Sequence, residues 1–187
     1  MSRLNHNSDA ELVDLCNTGG RDDAIAAFET LYARHKDYVI RVALRYVGDA
    51  DRALDVLQDT FSYLLGKFPP PGDGLRLDAR LRTLLYVVAK NNAISLLRKG
   101  SKAGSSGDID PDELAAPGYR DSSDLVALLR GLTPGQREII TLRFIDDHSL
   151  QAIGEILDIP LGTVKSRLHK AVEAMRKLPS VKDFFEK

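Results

Sequence analysis

An all-α fold of two small helical domains, joined by a flexible linker, is predicted by three features of the 187-residue sequence. Apolar residues recur every three or four positions through several long segments, which is the spacing that lines one side of a helix. No segment shows the apolar/polar alternation that is typical of a strand. Residues 100–123 are rich in Gly, Ser, Asp and Pro, which indicates a linker. We therefore expect a helical bundle over 1–99 and a helix-turn-helix domain over 124–187.

The composition narrows the class of protein. Hydrophobic residues make up 43% of the chain, enough for buried cores. No apolar run reaches the roughly 18 residues that a membrane span needs, and the first residues lack the apolar stretch of a signal peptide. Because the chain has one cysteine, Cys16, no internal disulfide can form. We expect a cytoplasmic protein in which Cys16 is a small buried residue.

The net charge of −1 is unevenly distributed along the chain. Residues 1–99 carry 14 basic and 13 acidic side chains, and residues 125–187 carry 10 basic and 8 acidic ones. Residues 100–124 carry 2 basic and 6 acidic side chains. Contact with a nucleic acid would therefore depend on local basic patches rather than on the field of the whole molecule.

Four helices are predicted in the first half of the chain. A capping box of Ser8 and Glu11 begins the first. The other three are expected over 23–47, 51–68 and 78–99, and a loop rich in Pro and Gly precedes the last of them. His35 falls on the apolar side of the second helix. We expect it to be half-buried and hydrogen-bonded rather than a metal ligand, because no Cys/His cluster accompanies it.

The outer side of the third helix carries an acidic stripe. Asp51, Asp55 and Asp59 follow one another at intervals of four, and like charges at this spacing repel by roughly 0.2–0.5 kcal/mol per pair. Acidic residues near a helix start are stabilised by the positive end of the helix dipole, and this explains Asp51 but not the other two aspartates. A docking surface for a basic partner would explain all three, so both interpretations stay open.

The fourth helix is predicted to have a polar outer side formed by Tyr86, Lys90, Asn91 and Arg98. An aromatic ring, an amide and cations on one face can stack on bases and contact phosphates. A face that is merely solvated would show the same residues. Asn92 points inward at this periodicity, so it needs a buried partner or marks a local irregularity of the helix.

Residues 149–177 predict two helices joined by a tight turn. Ser149 is suited to the N-cap of the first helix, and Asp158 at the turn tolerates a left-handed conformation. Pro160 fits where the second helix begins. Gly154 faces the crossing point and would let the two helices approach closely. This arrangement is a helix-turn-helix.

The second of these helices has a basic outer face. At 100° per residue its exposed side carries Lys165, Ser166, His169 and Lys170, with Thr163 beside them and Arg167 at the border. Such a helix fits the major groove, where its side chains reach base edges and phosphates. An ordinary amphipathic hairpin with a solvated charged side remains the alternative.

Catalytic motifs are missing from the sequence. There is no Gly-rich phosphate loop, nucleophile elbow or paired-ligand metal motif, and the four histidines are scattered. We therefore expect a protein that is not an enzyme and that needs neither a cofactor nor a metal.

Three segments resemble the bacterial extracytoplasmic-function (ECF) sigma factors, a class of small RNA polymerase sigma subunits. LTPGQREIITLRFIDDHSLQAIGEILDIPLGTVKSRLHKAVEAMRK is similar to the promoter-binding domain of that family. GDADRALDVLQDTF is similar to its core-polymerase-binding helix, and LLYVVAKNNAISLLRK to its promoter-melting helix.

The resemblance implies a sigma factor that binds RNA polymerase core and directs promoter-specific transcription initiation. Its domain 1–99 would bind core and the −10 element, and its domain 124–187 the −35 element. The implied site residues are Asp51, Asp55, Gln58 and Asp59 for the polymerase clamp coiled coil; Lys165, Ser166, His169 and Lys170 for −35 bases, with Thr163 and Arg167 for phosphates; and Tyr86, Lys90, Asn91 and Arg98 for the −10 region. An anti-sigma factor is a further implied partner.

The chain also departs from the family pattern in its melting helix. Leu81 and Leu84 stand where the family usually has Phe and Trp, and Ser95 where it usually has Asp. Two alternative functions are a sigma-like decoy that binds an anti-sigma factor without DNA, and a free-standing repressor. The decoy would be expected to lose the basic face of the last helix, and the repressor leaves the first domain without a role.

Overall fold

The computed structural model describes residues 4–70, 72–77, 80–102 and 131–178, and of 100–102 the backbone alone. Every regular element in these ranges is helical, which confirms the all-α prediction. The helices are α1 (Asp9–Thr18), α2 (Arg21–Val47), α3 (Ala50–Leu65), α4 (Leu81–Lys102), α5 (Pro134–Ile140) with a π-helical continuation (Thr141–Ile145), α6 (Leu150–Leu157) and α7 (Leu161–Arg176).

The chain divides into two compact units, residues 1–106 and 107–187. Helix α4 ends at Lys102 and so continues a few residues into the predicted linker. From residue 103 onward that linker lies outside the described residues. Among the described residues, no helix is both long enough and apolar enough to cross a membrane.

The helix starts follow the local hydrogen-bonding chemistry of the sequence. The predicted capping box of α1 is present, because the Ser8 amide donates to Glu11 Oε2 at 2.6 Å and the Glu11 amide donates to Ser8 Oγ at 3.3 Å. Helix α3 begins one residue earlier than predicted, since Asp49 caps it by accepting from the Arg52 amide at 2.9 Å. It also ends earlier, at Leu65, and α4 begins later than predicted, at Leu81.

Unit 1 is a four-helix arrangement in which α2 packs against α1, α3 and α4. Its buried core draws on every helix and includes Leu12, Leu31, Val39, Leu64 and Leu85. The aromatic rings of Phe28 and Phe61 meet edge to face at 6.2 Å between centroids. Burying these side chains away from water is the main source of stability for such a unit.

A polar cluster ties α1 to α2. Asp9 accepts from Arg34 at 2.6 Å, and its other oxygen lies 2.8 Å from His35 Nε2. Burial opposes ionisation of Asp9, but the hydrogen bonds and charges of His35 and Arg34 outweigh it and lower the pKa of the carboxyl. The expectation of a hydrogen-bonded His35 on the apolar side is confirmed, although the residue is buried rather than half-buried.

The single cysteine contributes to the same core. Cys16 is buried as predicted, and desolvation raises the pKa of its thiol to about 11. Because the thiolate is the reactive form, this environment makes Cys16 a poor nucleophile. Its role is therefore that of a small apolar residue.

Unit 2 packs α5 and α6 against α7. Thr133 and Gln136 form a capping box at the start of α5, where Pro134 occupies the first turn. The last turns of this helix widen into the π-helical segment before Asp147, which has a left-handed φ of 53°. Ile139, Leu142 and Ile153 lie at the centre of the buried core.

Candidate nucleic-acid and partner interfaces

The turn between α6 and α7 has the geometry that the sequence predicts. Ser149 Oγ accepts from the Ala152 amide at 3.1 Å, and Asp158 is left-handed with φ 51° and ψ 50°. A Cβ on Gly154 would lie 2.9 Å from the carbonyl oxygen of Ile159, so a larger residue there would push the turn away from α6. Helix α7 then begins after Pro160. The helix-turn-helix prediction is confirmed in its local details.

The outer face of α7 is basic and solvent-exposed. Lys165, Ser166, His169 and Lys170 are all exposed, whereas Val164 and Ala171 on the opposite side are buried. Ser166 Oγ donates to the Thr163 carbonyl at 3.0 Å, and His169 Nε2 lies 3.7 Å from Glu173 Oε1. Arg167 is exposed and Thr163 is half-buried. The side chains expected to touch DNA thus share one accessible surface on a well-packed helix.

The acidic face of α3 is exposed along its whole length. Asp51, Asp55, Gln58 and Asp59 are each exposed, while Ala53, Val56 and Leu57 turn into the core. Within the described part of the chain, none of the three aspartates makes an ion pair. Mutual repulsion along the stripe therefore persists in the isolated unit and would be relieved by a basic partner.

Helix α4 differs from the prediction at its aromatic residue. Tyr86 is only 1% exposed, so its expected place on the outer side is wrong. Its hydroxyl lies 2.9 Å from the hydroxyl of Tyr46 on α2, and this pair is buried. Ala89 and Ala93 share its side of the helix and are both 0% exposed. Small residues at this spacing let α2 approach closely and are the signal that would have placed Tyr86 inside.

The other residues predicted on the outer side of α4 differ in their exposure. Asn91 and Arg98 are exposed, while Lys90 is half-buried with its ammonium 6.0 Å from the ring centroid of Tyr46. The expectation of a buried partner for Asn92 is confirmed, since its Nδ2 donates to Thr60 Oγ1 of α3 at 3.4 Å. Of the two leucines that depart from the family pattern, Leu81 is buried and Leu84 is half-buried.

No cluster of three or more His, Cys, Asp or Glu residues suited to a metal ion occurs in the described ranges. The exposed acidic face of α3 and basic face of α7 are charged surfaces of the kind that suits recognition of a macromolecule.

Comparison with known protein families matches both halves of the chain. Residues 31–103 match Sigma-70 region 2, and residues 128–177 match Sigma-70, region 4. The ECF RNA polymerase sigma factor SigW of Bacillus subtilis is 31% identical over 175 residues, covering 84% of this chain and 90% of the relative. The ECF RNA polymerase sigma factor SigL of Mycobacterium tuberculosis is 34% identical over 163 residues, covering 81% and 88%.

Two solved structures share the fold. CnrH, in complex with the cytosolic domain of CnrY, aligns with a TM-score of 0.60 and 22% identity over 90% of this chain and 94% of the other. The sigma factor RpoE of Bartonella quintana, in complex with the anti-sigma factor NepR, aligns with a TM-score of 0.57 and 22% identity over 83% and 96%. The chain belongs to the ECF sigma factor family. It is a sigma factor, a protein that directs transcription initiation.

Proposed function

We propose that this sigma factor recognises the −35 element with α7, holds the −10 region with α4 and the loop before it, and docks on the polymerase clamp coiled coil with α3. The observation that carries the proposal is the exposure of Lys165, Ser166, His169 and Lys170 on one face of the second helix of a helix-turn-helix. A helix presented in this way enters the major groove with its outer side chains toward the bases.

The chemistry of α7 supports a division between base and phosphate contacts. Lysine ammonium groups donate to the O6 and N7 acceptors of guanine, and a serine hydroxyl can donate or accept at any base edge. Thr163 and Arg167 flank this set and suit the phosphates, which fix the register of the helix on the duplex. Because His169 lies near Glu173, the ring has an acidic neighbour on its own helix that would orient it.

The acidic face of α3 supports docking on a basic protein surface. Its three aspartates form an exposed strip of one sign, which accelerates encounter with a partner of the opposite sign and fixes its orientation. Gln58 lies within the strip and adds hydrogen-bonding groups without charge. The interface would lie on the opposite side of α3 from its buried residues Val56 and Leu57.

The −10 contacts are proposed for Lys90, Asn91 and Arg98, with Tyr86 in a supporting role. The buried hydroxyl pair of Tyr86 and Tyr46 holds α4 against α2. The Lys90 ammonium of α4 lies over the Tyr46 ring of α2, and this contact keeps the ammonium near the surface of α4. Exposed amide and guanidinium groups on α4 then suit an opened strand.

The decisive experiment adds the purified chain to sigma-free bacterial core polymerase and measures promoter-specific RNA synthesis. DNA from upstream of its own gene is the first template. We expect a discrete transcript that core alone does not make. Binding to core without a transcript from any such promoter would instead support the decoy.

A charge reversal on α3 separates docking from promoter recognition. Asp55→Lys with Asp59→Lys should weaken core binding while leaving the affinity of the chain for promoter DNA no lower than before. A matched control is Asp22→Lys with Asp23→Lys, which reverses two exposed acids on α2 away from the stripe. Equal loss of core binding in both variants would mean that net charge, rather than the α3 face, governs docking.

The decoy remains the second candidate because one relative in fold, the sigma factor RpoE of Bartonella quintana, was solved with an anti-sigma factor. We propose that this chain also binds an anti-sigma factor and acts in the cytoplasm as a binding protein without catalysis of its own. The exposed cations of α7 favour the sigma factor over the decoy, since a decoy has no need of them. Neighbouring genes that encode a membrane anti-sigma factor would supply the partner for a direct binding test.

A further inference from the structure

One side chain of α1 holds the loop between α3 and α4. The Asn17 carboxamide donates from Nδ2 to the Leu75 carbonyl at 2.9 Å and accepts at Oδ1 from the Leu75 amide at 2.8 Å. It thus satisfies both backbone groups of one loop residue, as a neighbouring strand would. The two residues are 58 positions apart in sequence, so no local turn produces this contact.

The loop is shaped to receive that carboxamide. The Gly72 amide donates to the Phe68 carbonyl at 2.9 Å, and the Gly74 amide donates to the Lys67 carbonyl at 3.1 Å. Gly74 has a φ of +98°, which disfavours any residue with a Cβ. A Cβ at this position would also lie 3.2 Å from Asn17 Oδ1. Glycine at 74 therefore lets the chain turn closely past Asn17.

Helix α1 is a firm support for this contact. Leu12, Val13 and Cys16 are buried against the rest of unit 1, and Asp9 is bonded to Arg34 and His35 of α2. Because α1 binds the loop and itself packs on α2, the position of the loop is set indirectly by α2, the helix that also packs against α4.

We propose that Asn17 is a positioning residue for promoter opening, because it holds residues 72–77 in the conformation in which the loop and α4 receive the opened −10 strand. The inference rests on the proposed −10 role of α4 and its loop. Without Asn17 the loop would have to be ordered when it meets DNA, and that cost would be taken from the binding free energy. With Asn17 the loop is ordered beforehand.

The test compares Asn17→Ala with Thr18→Ala in the full chain bound to core polymerase. Thr18 is an exposed neighbour whose hydroxyl donates to the Asp14 carbonyl within α1, so it is a matched control. Permanganate reactivity of −10 thymines measures the rate of opening. We expect Asn17→Ala to slow opening about tenfold, the size expected from losing two hydrogen bonds at a half-buried site. Thr18→Ala should open at the wild-type rate.

Base discrimination distinguishes positioning from general support. Single-base changes across the −10 element should reduce opening less in Asn17→Ala than in the wild type, while affinity for core stays at the wild-type value. Equal opening rates in Asn17→Ala and wild type would overturn the proposal. A parallel loss of core affinity and melting temperature, with discrimination unchanged, would also overturn it.

Gly74→Ala disturbs the contact between Asn17 and the loop by a change in the loop itself. We expect an opening defect at least as large as that of Asn17→Ala, because Ala at this φ strains the backbone and its Cβ crowds Asn17 Oδ1. The double variant should be clearly less impaired than the sum of the two single defects, since both disturb one contact. Fully additive defects would overturn the proposal. Failure of the wild-type protein to direct transcription is a separate result, because it would refute the proposed function before any variant is compared.

Discussion

Helices α4 and α7 are both proposed to touch DNA, yet they bury very different shares of their circumference. In α7 only Val164 and Ala171 are fully buried, and the whole opposite face is open to solvent. In α4 the buried residues spread around more than half of the helix, because α2 and α3 both pack against it. They are Leu81, Thr83, Leu85, Tyr86, Ala89 and Ala93.

This difference in burial predicts different roles for the two helices. A helix with one narrow buried side can present many side chains to a duplex from a rigid base. A helix that is covered on two sides keeps few side chains for a ligand and uses the rest to hold its own position. We therefore expect substitutions in α7 to change DNA affinity, and many substitutions in α4 to change stability first.

The largest expected effect is on the stability of unit 1. Tyr86→Ala should reduce the free energy of unfolding by about 3–5 kcal/mol, the usual cost of removing a buried aromatic side chain. Tyr86→Phe should cost only about 1 kcal/mol, since it removes the hydroxyl pair with Tyr46 and leaves the ring. Urea unfolding measures both. A change within about 0.5 kcal/mol for Tyr86→Ala would mean that this ring is exposed in solution.

The next effect is on DNA affinity without a change in stability. Ser166→Ala combined with Lys170→Ala should weaken binding to the −35 element by about 1–3 kcal/mol, the range for losing a good base contact. Both side chains are exposed, so the free energy of unfolding should change by no more than about 0.5 kcal/mol. Fluorescence anisotropy with −35 duplexes measures affinity. Loss of core binding in this variant would contradict the assignment of α7 to DNA.

A smaller effect should appear in the dependence of binding on salt. Arg167→Ala removes one proposed phosphate contact, so the slope of log affinity against log salt should fall by about 1. The loss should be similar for matched and mismatched −35 sequences, because a phosphate contact carries no sequence information. A loss confined to the matched sequence would reassign Arg167 to base recognition.

The smallest effect concerns the polar cluster between α1 and α2. Folding lowers the pKa of Asp9 from its ordinary value of 3.8, so its contribution to stability is present above that value and is lost as the pH falls through the lowered one. Asp9→Asn should cost about 1 kcal/mol or less at pH 7, since solvent screens this partly exposed pair. Urea midpoints of wild type and variant should converge in acid. A difference that persists there would have another cause.

Features that depend on local contacts could be predicted from the sequence, whereas features that depend on how the helices pack could not. The capping boxes at Ser8 and Thr133, the N-cap at Ser149 and the left-handed Asp158 depend on residues a few positions apart, so local chemistry is sufficient. The exposed face of α7 follows from periodicity alone, because a single apolar stripe faces a single core. The linker and the roles of the exposed residues stay predictions.

What the sequence by itself determined is the set of helices, most of their starts and the basic face of α7, since each depends on contacts within about one helical turn. The tertiary structure alone decided that Tyr86 points inward and that Asn17 binds Leu75. Both depend on which helix covers which face, and residues 40 and 58 positions apart meet there. Periodicity describes one helix at a time, whereas burial is a property of the packed unit.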